Sequence, residues 1–199
     1  MASIVSRGFT GRRDPEAHRL PPGQYRTVGF PVLSAGHTPH VDLTSEWRFS
    51  VRNVAGQERS WDWRAFQELP QEELTRDIHC VTGWSKFDTV WRGVSVDTLL
   101  SGLELDGAWV MAGCYGGYTT NMPLADLTGG RAWVVHEFEG APLDPAHGGP
   151  ARLLVPHLYF WKSAKWVASL QLLEQDRRGF WEDNGYHMRG DPWREERYS

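Results

Sequence analysis

A chain of 199 residues with 40% hydrophobic content is long enough to bury one sizeable core, and no stretch has the composition of a disordered tract. A net charge of -4 supplies no basic field for nucleic acid, and nowhere do 18 apolar residues run together, so the sequence argues against a nucleic-acid partner and against a membrane span. The two cysteines, Cys80 and Cys114, cannot build a disulfide framework and point to a reducing, cytoplasmic setting.

Residues 1–40 are rich in Gly, Pro and Arg and lack periodicity, which predicts an extended arm laid over a domain spanning 41–199. The basic stretch Met1–Arg13 is not followed by an apolar segment, and Arg12-Arg13 runs into Asp14-Pro15, so neither a secretory nor a twin-arginine export signal is expected. Trp47, Phe49 and Val51 alternate with Arg48, Ser50 and Arg52, the pattern of a half-buried strand. Asp62 is placed to cap a short helix through Phe66 to Leu69, stopped by Pro70. Residues 74–81 read as a strand that delivers Cys80 to its end, and Ser95 as the cap of a one- or two-turn helix through Leu100. Further strands are expected at 108–112, 132–138, 152–155 and 165–173, the last strongly alternating. The tail 179–199, with Trp181, Tyr186 and Trp193, is expected to pack as an ordered strap. Many short strands, few short helices, and 11 tryptophans beside 21 glycines and 12 prolines predict an α+β fold, mainly β, with long loops.

No Walker A loop, GxGxxG, HExxH, paired CxxC or GxSxG is present. His37 and His40 are three apart, but Pro39 breaks any shared helical face, so they read as loop histidines. Three segments carry the chemistry that remains. In Asp77-Ile78-His79-Cys80-Val81-Thr82-Gly83-Trp84-Ser85 a strand ends on a thiol and a glycine turn leaves space before the sulfur. That sulfur is either a small buried hydrophobe or a soft metal ligand. The stretch Gly148–Pro156, followed by Tyr159–Trp166, gathers Arg152, Lys162, Ser163 and Lys165 among glycines and rings. These are donors that a phosphate-bearing cofactor requires, or else solvated basic residues flanking a strand. Gly116–Leu124, which contains Thr119, is either a hairpin and turn or the wall of a pocket.

Taken in order, Ile78–Ser85, Gly117–Leu124, Gly149–Pro156 with Trp161–Trp166, and Gly179–Glu182 with Gly185–His187 resemble the molybdopterin-binding domain of the sulfite oxidase family, in its small, haem-free bacterial branch. The resemblance runs from about Phe30 to Trp193. It implies a mainly β fold around one pterin that carries molybdenum through a dithiolene, with Cys80 as the protein's metal ligand and no haem. It also implies that Arg152, Ser163 and Lys165 hold the phosphate and pterin ends of the cofactor. His147 falls where relatives place a polar cofactor contact, often an asparagine, and Thr119 lies in a segment that passes near the site. Cys114 is read as a strand-end packing residue.

The implied activity is a molybdenum-dependent oxidoreductase that moves an oxygen atom to or from a small molecule, exchanging electrons with a separate partner. Alternatives are a sulfoxide or N-oxide reductase of the same fold, or a pterin-binding module without turnover. One departure bears on substrate. Sulfite oxidases carry arginines before the first strand and just after the cysteine, where this chain has Ser34, Ala35 and Gly36, then Val81, Thr82, Gly83 and Trp84. The expected mouth is neutral, with Trp84 as a wall and Lys86 as the first available cation.

Overall fold

The computed structural model describes residues 16–42 and 45–199; the arm before Glu16 lies outside the described residues. A short arm strand, β1 (Tyr25–Arg26), precedes β2 (Arg48–Arg52) and β3 (Glu58–Asp62), which pair antiparallel. The alternation of β2 is realised: Phe49 and Val51 are buried, Arg48 and Arg52 exposed, and Trp47 extends the buried row. Asp62 ends β3 and caps α1 (Trp63–Gln67), its carboxylate accepting the Ala65 amide at 2.8 Å. This leaves Phe66 buried between Trp47 and Phe49.

β4 (Glu72–His79) and β5 (Trp84–Ser95) form the longest hairpin, and Ser95 caps α2 (Val96–Leu100) by accepting the Thr98 amide at 3.3 Å. Then follow β6 (Trp109–Cys114), β7 (Thr119–Pro123), β8 (Trp133–Phe138), β9 (Ala141–Pro142), β10 (Arg152–Leu154), β11 (Val167–Leu173) and the one-turn α3 (Phe180–Asp183). Six strands make one sheet, with β4 along one edge of β5 and β1 and β8 along the other, and β8 continuing to β10 and β9. The second sheet runs β3-β2-β11-β6-β7, antiparallel except for the β2–β11 pair.

Four strands, β1, β3, β5 and β9, escape the sequence reading. In β5 the alternation is blurred because residues 93–95 are buried in succession, both faces being covered there. Its register against β8 shifts at Gly93, where a Cβ would lie 2.2 Å from the Val134 carbonyl oxygen, so only glycine lets the two backbones meet. The arm is less uniform than an extended segment. It contains a 3-10 turn at Ala17–Arg19 and β1, which adds parallel to β5. It also contains Phe30, whose ring packs against Trp84, Trp91, Phe138, His147 and Phe160.

The core has two centres. One, around Trp47, Phe49, Phe66, Leu99 and Val134, fills the space between the sheets. The other, around Ile78, Trp84, Trp91, Trp133 and Cys80, lies under the β4–β5 hairpin. The tail after Gly179 is ordered by α3, by a 3-10 turn at Pro192–Arg194, and by a bridge between Tyr186 and Tyr198. Two polar anchors fasten it. Lys162 donates to Glu182 at 2.6 Å, both side chains being 0% exposed, and Arg189 donates to the buried Asp126 at 2.9 Å.

Candidate active site

A cavity of about 430 Å³ opens between the β4–β5 turn, the loops around β10, and the C-terminal strap. Cys80 reaches it because it is the first residue beyond β4. Its amide donates to the Trp84 carbonyl at 2.8 Å, and its carbonyl accepts the Gly83 amide at 3.0 Å. Gly83 closes this turn at φ +101°, a region that a side chain would disfavour. The sulfur is 7% exposed, and burial pushes the thiol pKa up. The Thr82 hydroxyl, donating to the sulfur at 3.1 Å, and the guanidinium charges of Arg197 and Arg152 oppose that rise. Such a thiol is protonated when no metal is bound, and a thiol must lose its proton to ligate one.

Arg152 points from β10 into the same cavity. It is 1% exposed, yet its partners are two main-chain carbonyls, of His147 at 2.7 Å and Ser163 at 2.5 Å, and its Nε has no partner. The Phe160 ring lies 4.0 Å from the guanidinium carbon. Burial lowers its pKa to about 9. A buried cation without a carboxylate is costly, and an orphaned donor beside a cavity suits an anionic guest.

Ser163 and Lys165 line the same side. The Ser163 hydroxyl oxygen accepts the Val155 amide at 2.9 Å, which leaves its proton to donate. Lys165 donates to the carbonyls of Ala146 at 2.6 Å and Leu33 at 2.7 Å; burial, then the neighbouring Arg152, lowers its pKa to about 8. Just beyond Lys165 the backbone is unusual: Trp166 sits at φ +53°, held by its indole N–H to Pro145 and by the Tyr115 amide on its carbonyl.

Cys80, Arg152, Ser163 and Lys165 are thus brought to one cavity, whereas His147 and Thr119 stand behind its wall. The His147 ring stacks on Phe30 and its Nε2 donates to the Phe30 carbonyl at 3.0 Å, while its own carbonyl anchors Arg152. Thr119 is spent on the β7–β6 ladder, and its neighbours Gly117 and Tyr118 line the cavity.

The mouth is formed by Ser34, Ala35, Gly36, Val81 and Thr82, as the sequence suggests, but Trp84 and Lys86 take no part. Trp84 is buried in the second core because its side chain alternates inward on β5. Lys86 turns outward to the Val28 carbonyl at 2.7 Å. Besides Arg152, the arginine that approaches Cys80 is Arg197 of the strap, which donates to the Val81 carbonyl from outside the cavity. Sequence reasoning also missed the strap residues Phe180, Trp181 and Tyr186 as cavity wall. Their type signals packing, and only the course of the tail places them. Cys114, the last residue of β6, packs against the first core, and burial pushes its thiol up to about 12.

Comparison with known proteins places the chain in a family. Residues 35–181 match the family model of the oxidoreductase molybdopterin-binding domain. The chain is similar to an uncharacterized oxidoreductase, YuiH, of Bacillus subtilis (strain 168), at 39% identity over 94% of this chain and 96% of that one. It is also similar to YedZ1, a putative protein-methionine-sulfoxide reductase subunit of Azospira oryzae, at 30% identity over 75% of this chain and 57% of that one. The fold matches that of the sulfane dehydrogenase SoxCD from Paracoccus pantotrophus, with a TM-score of 0.61 at 15% identity over 88% of this chain and 56% of that chain. Among the described residues no helix is long and apolar enough to cross a membrane. The chain belongs to the molybdopterin-binding oxidoreductases of the sulfite oxidase family and is a molybdenum-dependent oxidoreductase.

Proposed function

We propose that the protein exchanges an oxygen atom between water and a small uncharged oxo compound at a molybdenum-pterin group bound through Cys80, with electrons passed to or from a separate carrier. The observation that carries this reading is Arg152: a buried guanidinium, unpaired by any carboxylate and with a free Nε, facing the same cavity as the Cys80 sulfur. Arg152, Ser163 and Lys165 hold the phosphate and pterin ends, His147 fixes Arg152 through its carbonyl, and Thr119 holds the strand behind Tyr118. When bound, the group supplies two-electron oxygen-atom chemistry, while the protein sets geometry and charge around it.

In the reducing direction an S=O or N–O bond breaks, two electrons arrive from the carrier, two protons come from solvent through the mouth, and water leaves. The mouth selects against dianions. The cavity's cations, Arg152 and Lys165, are engaged at the cofactor end, and Ser34, Ala35, Gly36, Val81 and Thr82 offer no fixed positive charge, leaving His37 as the one further basic side chain among the described lining residues. Desolvating a dianion there costs more than neutral donors return. We assign the reaction to the cytoplasm, because Cys80 and Cys114 are free thiols.

The test is kinetic and analytical together. Wild-type protein is assayed for molybdenum and pterin, then for turnover of sulfite and of a sulfoxide panel with artificial electron carriers. Turnover of sulfoxides with little or none of sulfite is expected; sulfite turnover with a low Michaelis constant contradicts the reading of the mouth. Arg152→Ala removes charge-assisted contacts each worth about 1.5–3 kcal/mol, so pterin affinity falls roughly ten- to a hundredfold. Unchanged pterin occupancy in Arg152→Ala, Ser163→Ala and Lys165→Ala would place the pocket elsewhere.

A further inference from the structure

We infer that the wall built by the C-terminal strap binds an uncharged aromatic group, so that the oxo compound processed at this site carries a ring next to its sulfur or nitrogen. The inference rests on the oxygen-atom chemistry proposed above and adds the substrate's other half.

Five rings that line the cavity touch in sequence. Tyr118 and Phe180 are 5.8 Å apart, Phe180 and Trp181 5.1 Å, Trp181 and Tyr186 4.9 Å, and Tyr186 and Trp161 5.1 Å between centroids. Most of these contacts are edge-on or tilted, so ring faces and ring edges alternate along the wall, the arrangement in which a further ring finds a complementary partner. Two of the polar tips are taken up by protein. The Tyr118 hydroxyl donates to the Trp161 carbonyl at 2.8 Å, and the Trp161 indole N–H donates to Glu182 at 2.9 Å. The wall is also fixed from behind. Glu182 is held by Lys162, and a Cβ on Gly190 would come within 2.6 Å of the Trp161 ring, so the strap backbone is pressed against that indole.

The two cations of the cavity are tied down by main chain: Arg152 donates to the carbonyls of His147 and Ser163 and Lys165 to that of Ala146, while α3 packs on β7. Among the described residues no aspartate or glutamate lines the cavity, so a cationic guest finds no counter-charge there. A neutral ring is the guest that loses least hydration and gains most contact.

The probes are methyl phenyl sulfoxide and dimethyl sulfoxide, which share the S=O group and differ by the ring. Binding is measured on the oxidised, cofactor-loaded protein by tryptophan fluorescence, where no electrons are available for turnover. Turnover is measured with a reduced viologen: two electrons and two protons cleave S=O to give methyl phenyl sulfide and water. One added ring contact predicts a preference of about tenfold or more for the phenyl compound. Trp181→Ala removes about tenfold of binding and raises KM for that compound alone, leaving dimethyl sulfoxide within about twofold, and Trp181→Phe restores most of it. Phe180→Leu, at an exposed position, serves as a second variant should Trp181→Ala disturb the strap. Equal affinity for both sulfoxides in wild type, or equal weakening of both in the variants, overturns the inference. Ring-selective binding without turnover supports the wall and counts against the oxygen-atom reading; turnover without ring preference does the reverse.

Discussion

At the scale of single residues the site is a set of donors held by main-chain carbonyls rather than by carboxylates. Arg152 and Lys165 face the cavity in this way, and each pKa is lowered by burial. For Lys165 the value of about 8 falls within an accessible range. Below that pH the ammonium is charged and attracts an anionic cofactor; above it the proton is lost and the attraction fades. Loading of cofactor-free protein, followed by pterin fluorescence, is therefore expected to weaken from pH 7 to pH 9. Lys165→Met should load less well and lose the part of the fall centred near pH 8, keeping only the later fall toward the Arg152 value of about 9; an unchanged profile in that variant would assign the titration to another group. The sequence exposed these donors because Arg, Ser and Lys cluster within fourteen residues, 152–165. It did not expose which of them are buried, since burial of Arg152 depends on Phe160 and Trp91 folding over it.

At the scale of elements, what local chemistry decides was legible and what strand pairing decides was less so. Phe49 and Val51 on β2 alternate cleanly, as do the capping residues Asp62 and Ser95 with their short helices, because local chemistry decides each of them. β5 was missed because residues 93–95 are buried in succession, which breaks the period of two. Lys162 was grouped with the cofactor-binding donors by its place in the sequence, yet it points away from the cavity, to Glu182, the Asn121 carbonyl and the Met188 carbonyl. Its role is to fasten α3 and the strap. Lys162→Met strands the buried Glu182 carboxylate and is expected to cost about 3–5 kcal/mol of stability in chemical denaturation. Adding Glu182→Gln should recover part of that loss. If the two substitutions are simply additive, the pair is not the anchor described.

At the scale of the whole molecule, two sheets and a strap enclose one cavity to which three distant segments each bring a function. The β4–β5 turn brings the sulfur, the loops around β10 bring the cations, and the strap brings the aromatic wall. The first two were visible as motifs in the family's order. The third was visible only as composition, because a tail of aromatic and charged residues packs equally well on any face until its anchors are known. Charge at the mouth depends on the same closure: Arg197 returns at the end of the strap to the Val81 carbonyl but stays outside the cavity. The central claim is that Cys80 ligates molybdenum, and X-ray absorption of the loaded protein at the molybdenum edge tests it most directly. Wild type is expected to show three sulfur neighbours, two from the pterin and one from Cys80. Cys80→Ser, which replaces a soft thiolate by a hard hydroxyl, should show two, with the fold intact and turnover lost. The same sulfur count in both proteins would contradict the assignment.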